Sequence, residues 1–93
     1  MTATALDDST LTRALYSSDA SLYRVVPAAV ARPRTAAELG QVVDDALASR
    51  TPLTLRGAGT SCAGNAVGPG IVLDTRHLDR VLGLDPAART ASV

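Results

Sequence analysis

Apolar and polar positions recur with different periods along the chain, and each change of period marks an element. From Thr35 to about Ser49 the apolar side chains Leu39, Val42, Val43, Ala46 and Leu47 recur at helical spacing, with Thr35 and Glu38 in capping-box relation. This predicts a helix with one apolar face. Nearer the start, Leu6, Leu11, Leu15 and Leu22 are set among Ser, Thr and Asp, which suits a short helix from about Ser9 to Tyr16, capped by Ser9, and then an irregular link to Arg24. Pro27 and Pro33 bracket Ala28-Ala29-Val30-Ala31, a run too short for a helix and biased toward extended backbone, so a short strand is expected there.

Pro52 to Arg56 alternates apolar and polar side chains as a strand does, and Ile71-Val72-Leu73 is an apolar run of the kind a buried strand carries. The order is therefore strand, helix, strand, loop, strand. A turn or short helix over Thr75 to Asp79 leads to a predicted hairpin, with Val81 to Asp85 as its first strand, a turn at Asp85 to Ala88, and Arg89 to Val93 as its second. A strand that stops as it begins leaves backbone groups without evident partners, so a longer parent protein is expected. The pattern divides into an N-terminal helical arm over 1–24 and a mixed unit of α/β (α+β) class over 25–93, with no internal repeat.

Composition narrows the function classes. The chain has 93 residues with 46% apolar content, enough for one small domain. Nine arginines, with no lysine, balance nine acidic residues to zero net charge, which denies the chain the uniform basic field that nucleic acid or an anionic membrane attracts. The single cysteine, Cys62, has no internal disulfide partner, and Asp7 and Asp8 stand where a secretion signal needs a positive flank and an apolar run. The apolar runs fall far short of the roughly 20 residues that span a bilayer. The expected location is the cytoplasm, or the periphery of the inner membrane, with no transmembrane segment.

Five of the seven glycines lie between Gly57 and Gly70, in a stretch without a charged side chain. Such a loop can turn successive N–H groups toward one point, and Thr60, Ser61 and Asn65 add side-chain donors, so it suits a diphosphate better than a metal or a hydrophobe. Arg56 is the cation at its edge. A plain surface connection is the alternative reading of the spacing alone. Two familiar phosphate motifs fail on the letters. The dinucleotide fingerprint requires glycine three residues after Gly59, where Cys62 stands, and the nucleotide triphosphatase loop requires Lys and Ser or Thr where Asn65 and Ala66 stand.

A resemblance to a known family rests on four runs of residues: Tyr16-Ser17-Ser18-Asp19-Ala20-Ser21-Leu22-Tyr23-Arg24; Pro27-Ala28-Ala29-Val30-Ala31-Arg32-Pro33; Leu55-Arg56-Gly57-Ala58-Gly59-Thr60-Ser61 with Gly64-Asn65-Ala66-Val67; and Ile71-Val72-Leu73-Asp74. Together they resemble the FAD-binding domain of the vanillyl-alcohol oxidase (PCMH) type, in particular its D-2-hydroxyacid dehydrogenase branch, which acts on lactate, glycolate and 2-hydroxyglutarate. The resemblance implies the N-terminal subdomain of a two-subdomain FAD fold, cut short, with the start of its partner. It implies FAD as cofactor, a phosphate-binding role for Arg56, Gly57, Ala58, Gly59, Thr60, Ser61, Gly64 and Asn65, and a position close to the dinucleotide for Pro33. Relatives with covalent flavin commonly place histidine where Thr60 stands, so non-covalent FAD is implied. Some large relatives also carry an iron–sulfur region in a C-terminal extension. The acid–base residues, any metal ligands and the 2-hydroxyacid site would lie beyond Val93, so no residue of this chain is assigned a catalytic or metal-binding role. Two alternatives are a UDP-N-acetylmuramate reductase-like FAD domain, whose loop usually continues into a serine-asparagine pair, and a non-catalytic fragment that acts only with its missing half.

The remaining polar residues have simpler readings. Cys62 is expected to behave as a small buried hydrophobe, His77 as a surface side chain, and Asp7, Asp8, Asp44 and Asp45 as solvated carboxylates. Tyr16 and Tyr23 are expected to anchor the arm. For Arg24, Arg32 and Arg34, a salt bridge or solvent exposure is the default over contact with the cofactor.

Overall fold

The structure, a computed structural model, describes residues 6–93. In chain order the elements are α1 (Thr10–Leu15), β1 (Ala29–Ala31), α2 (Ala36–Ala48), β2 (Leu53–Arg56), β3 (Ile71–Asp74), β4 (Gly83–Asp85) and β5 (Thr90–Ser92). The first five residues of the expected arm lie outside the described residues.

Local chemistry sets both helix starts. Ser9 caps α1, accepting from the Thr12 N–H, and Thr35 caps α2, accepting from the Glu38 N–H at 3.1 Å. The Glu38 carboxylate reaches back one residue further than a capping box requires and accepts from the Arg34 N–H. At its other end α2 closes with Thr51 N–H on Ala46 C=O and Arg50 N–H on Leu47 C=O, a Schellman arrangement that puts Arg50 at φ 53. Glycine is the usual occupant of that position.

β1, β2 and β3 form one parallel sheet in the order β1-β3-β2, with α2 as the crossover from β1 to β2. Central β3 is buried at every position, as expected of an apolar run covered on both faces. Strand alternation sends Ala31, Ile71 and Leu73 to one face, where they pack with Val42 and Ala46 of α2 and with half-buried Leu39 and Leu53. Val30 and Val72 point to the other face and pack on Tyr16, at the end of α1. Each fully buried Leu or Val here contributes about 1.5–3 kcal/mol relative to exposure. The apolar stripe of α2 is narrower than its sequence implies, because Val43 is partly exposed and Leu47 is 76% exposed. A sheet three strands wide reaches only the Leu39, Val42 and Ala46 ridge.

The free edge of β1 is closed by Asp7, which exchanges both backbone hydrogen bonds with Val30 at 2.8 and 2.9 Å. Asp7 is thus part of the sheet edge, and its side chain, 35% exposed, is more than a solvated carboxylate. Its side chain accepts from Thr12 Oγ1 and the Ser9 N–H and pairs with Arg32 at 3.4 Å; these hydrogen bonds, from Thr12 first, hold it well below the usual carboxylate range. Asp8, Asp44 and Asp45 are exposed, as expected. Thr75 to Leu78 is a turn closed by Leu78 N–H on Thr75 C=O. The hairpin forms, with β4 and β5 antiparallel and Gly83 opposite Ser92. The backbone of β5 thus finds its partner in β4, and Leu82, Leu84 and Val93 around it are exposed. No helix among the described residues is long and apolar enough to cross a membrane.

Candidate functional site

Parallel strands of an α/β sheet present their carboxyl ends to ligands, and here that edge gathers three arginines. Arg32 follows β1, Arg56 ends β2 and Arg76 follows β3. With Leu15, Tyr16 and Ala58 they line a cavity of about 230 Å³. Tyr16 organises it. Its hydroxyl donates to Asp74 Oδ2 at 2.5 Å and accepts from Arg32 Nε at 3.2 Å and Arg76 Nη2 at 3.4 Å. The guanidinium carbons of Arg32 and Arg56 lie 5.3 and 5.1 Å from its ring centre, within cation–π range.

Asp74, only 1% exposed, ends β3 beneath this cluster. Arg76 binds it through Nη2 at 2.8 Å, Nε at 3.1 Å and its own backbone N–H at 3.0 Å. Burial pushes the Asp74 carboxyl up, but the bonds from Arg76 and Tyr16 outweigh it and hold the group well below the carboxylate range. Asp74 in turn raises Arg76, and Tyr16 is the leading cause that raises Arg32. Two carboxylates, Asp7 and Asp74, thus oppose three guanidiniums, and the cavity keeps a positive balance.

Beside it lies the glycine loop, whose residues Gly57, Ala58, Gly59, Thr60, Ser61, Asn65 and Ala66 line, with Leu55, a cavity of about 330 Å³. Gly59 and Gly64 have φ of 72 and 81, the left-handed region that glycine enters without steric cost. The Ser61 hydroxyl accepts from the N–H groups of Ala63 and Asn65 at 3.2 and 3.1 Å and folds the loop back on itself. Among the described residues, no protein acceptor meets the N–H groups of Gly57, Ala58, Gly59, Thr60 or Ser61. Donors left free along a loop that takes a left-handed turn at Gly59 are available to an anion. Leu55, 64% exposed at the end of β2, adds an apolar wall.

The structure thus brings Gly57, Ala58, Gly59, Thr60, Ser61 and Asn65 around one cavity, with Gly64 at the turn behind it, and places Arg56 in the neighbouring arginine-lined cavity, which shares Ala58 with it. Pro33 is fully buried and lines neither cavity. Arg56 is not a free cation at the rim: its Nη1 donates to Ser18 C=O at 2.8 Å and Ala66 C=O at 3.2 Å. Cys62 is exposed, with only a 4.0 Å contact to Thr60 C=O, because the loop turns its middle residues to solvent. The reading of Cys62 as a buried hydrophobe is corrected. Tyr16 anchors the arm as expected; Tyr23 is 64% exposed and only edges the loop at Gly64. His77 is a surface side chain that lines, with Arg34 among others, a separate cavity of about 340 Å³.

Sequence reasoning missed the part that Asp74 and Arg76 play in the arginine cluster. A carboxylate closing the apolar run Ile71-Val72-Leu73 was the available signal, since a charge carried into a core demands a partner.

The matches with known proteins follow the same residues. Residues 27–93 match the profile of the family described as FAD binding domain. The chain is 34% identical over 90 residues to the glycolate oxidase subunit GlcD of Bacillus subtilis, a match that covers 94% of this chain and 19% of that protein. It is 35% identical over 78 residues to the D-2-hydroxyglutarate dehydrogenase of Escherichia coli, covering 80% of this chain and 8% of the relative. The corresponding enzyme of Pantoea ananatis is 33% identical over 81 residues, covering 83% and 8%. The chain therefore spans less than a fifth of the length of these relatives. The matched span holds the whole sheet and the glycine loop with its unclaimed donors, and on that ground the chain belongs to the FAD binding domain family.

Proposed function

We propose that this chain forms the diphosphate-gripping part of the FAD site in a flavin-dependent oxidoreductase that oxidises a small D-2-hydroxyacid. The observation that carries the cofactor role is the run of unclaimed N–H groups from Gly57 to Ser61 around a left-handed turn, beside an arginine-lined cavity. A diphosphate supplies several anionic acceptors at the spacing such a nest accommodates. A compact metal ion finds no matching donor set there, since N–H groups repel cations.

In this reading the loop binds, and Thr60, Ser61 and Asn65 add side-chain donors. The positive balance of Arg32, Arg56 and Arg76 against Asp7 and Asp74 favours an anion nearby, and Leu55 offers apolar surface to a planar ring. When bound, FAD supplies hydride acceptance at the flavin; the protein supplies binding, orientation and electrostatics. Attachment is non-covalent, because the loop carries no histidine and Thr60 has no adjacent base to activate it. The hydroxyacid substrate follows from the names of the matched relatives, glycolate oxidase and D-2-hydroxyglutarate dehydrogenase.

The test is to purify the full protein, record its visible spectrum, and follow bleaching of the flavin band with D-lactate, glycolate and D-2-hydroxyglutarate under anaerobic conditions. Flavin absorption with bleaching by one of these acids is expected. A colourless protein that takes up no added FAD would overturn the cofactor role, and a yellow protein that none of the acids bleaches would overturn the substrate class alone.

A further inference from the structure

A glycine-rich loop holds one shape only where its surroundings impose it, because its backbone has more freedom to lose than any other. Three contacts from the arm do so here. Asp19 Oδ2 accepts from the Ala66 N–H at 3.3 Å, on the returning side of the loop, and Asp19 Oδ1 is itself fixed by the Ser21 N–H at 2.8 Å. Arg56 Nη1 joins Ser18 C=O to Ala66 C=O. The Tyr23 ring lies against Gly64, where a Cβ would come within 2.6 Å of it. The Arg56 guanidinium also fills the space beside Gly59, where a Cβ would stand 2.8 Å from Cζ.

Both polar contacts converge on Ala66, a buried residue, from neighbouring positions of the arm. The aliphatic stem of Arg56 leaves β2, its head lies by the Tyr16 ring, and a donor is spent on two carbonyls. From this geometry we infer that Asp19 and Arg56 are positioning residues of the cofactor loop: together they clamp Ala66 to the arm and so hold Gly57 to Ser61 open for the ligand, and Arg56 acts through the loop rather than on the phosphates. The inference rests on the reading of the loop as a diphosphate site. It makes the segment from Ser18 to Tyr23 part of that site, although none of it lines the loop's cavity.

A double-mutant cycle on the full protein tests this. FAD affinity is measured by fluorescence quenching for the parent, Asp19→Ala, Arg56→Gln and the double variant. Each single change is expected to weaken binding about tenfold, and the double by about the same factor, because both release one clamp. Asp19→Asn keeps an oxygen for the Ala66 N–H and is expected to stay within about threefold of the parent. Losses that multiply to about a hundredfold in the double variant would show that the two side chains act independently and would overturn the inference. Amide exchange at Ala63 and Asn65, whose N–H groups the Ser61 hydroxyl holds, reads the loop's shape in flavin-free protein: faster exchange in Asp19→Ala is expected, and unchanged exchange would overturn the inference. If that exchange responds while the parent takes up no FAD, the clamp stands and the cofactor reading fails.

Discussion

Replacing Tyr16 by phenylalanine removes one oxygen from the centre of the arginine cluster and leaves the packing of the ring on Val30 and Val72 in place. The lost hydroxyl donates to the buried Asp74 carboxylate at 2.5 Å and accepts from two guanidiniums at 3.2 and 3.4 Å. A hydrogen bond to a charged group contributes about 1.5–3 kcal/mol, and the two longer contacts come from side chains that water can serve instead, so a net loss of about 2 kcal/mol is expected. Asp74 keeps Arg76, which sets the upper bound. The assay is amide exchange at 71–74 in the full protein, where about 2 kcal/mol appears as roughly thirtyfold faster exchange of β3. The pH dependence has a definite sign. Asp74 has a depressed folded pKa, so its contribution is complete above the unfolded value of about 4 and is lost as pH falls through the folded one. The Tyr16 hydroxyl is part of that depression, so the gap between parent and Tyr16→Phe should narrow on acidification. A loss under about 0.5 kcal/mol, or a gap that widens as pH falls, would refute the assignment of Tyr16 as a partner of ionised Asp74.

Gly59→Ala is expected to weaken FAD binding at least about tenfold, since φ 72 is costly for an L-residue and the new Cβ meets Arg56; equilibrium dialysis of the full protein against FAD checks it. Arg50→Gly should stabilise the end of α2 by about 0.5–1 kcal/mol, because Arg50 occupies a left-handed position that glycine takes without strain; slower exchange of the last turn of α2 would show it. Acid precipitation of the full protein should leave all flavin in the supernatant, and a yellow pellet whose flavin maps to residues 56–70 would contradict the reading of Thr60. Cys62, being exposed, should alkylate in the folded protein without denaturant, as peptide mass spectrometry would report.

Elements governed by neighbours a few residues apart were legible from the sequence. The Thr35 cap with its helix, the two strands around the glycine loop, the hairpin turn near Asp85 and the phosphate-suited composition of residues 57–70 all depend on periods and spacings within one turn or one strand. The resemblance added the identity of the cofactor, which no local spacing carries. What the tertiary structure decided is every role that depends on a distant partner. The order β1-β3-β2 puts the last of the three strands in the middle, and so carries Asp74 into the core beneath a tyrosine 58 positions earlier. The same closure turns Asp7 from a surface charge into an edge strap and brings Arg56 against Ser18, 38 positions away. A side chain's own neighbours in sequence set its backbone, but whether its charge is paired, buried or free is set by what the sheet brings against it, and a buried carboxylate persists only where such partners arrive together.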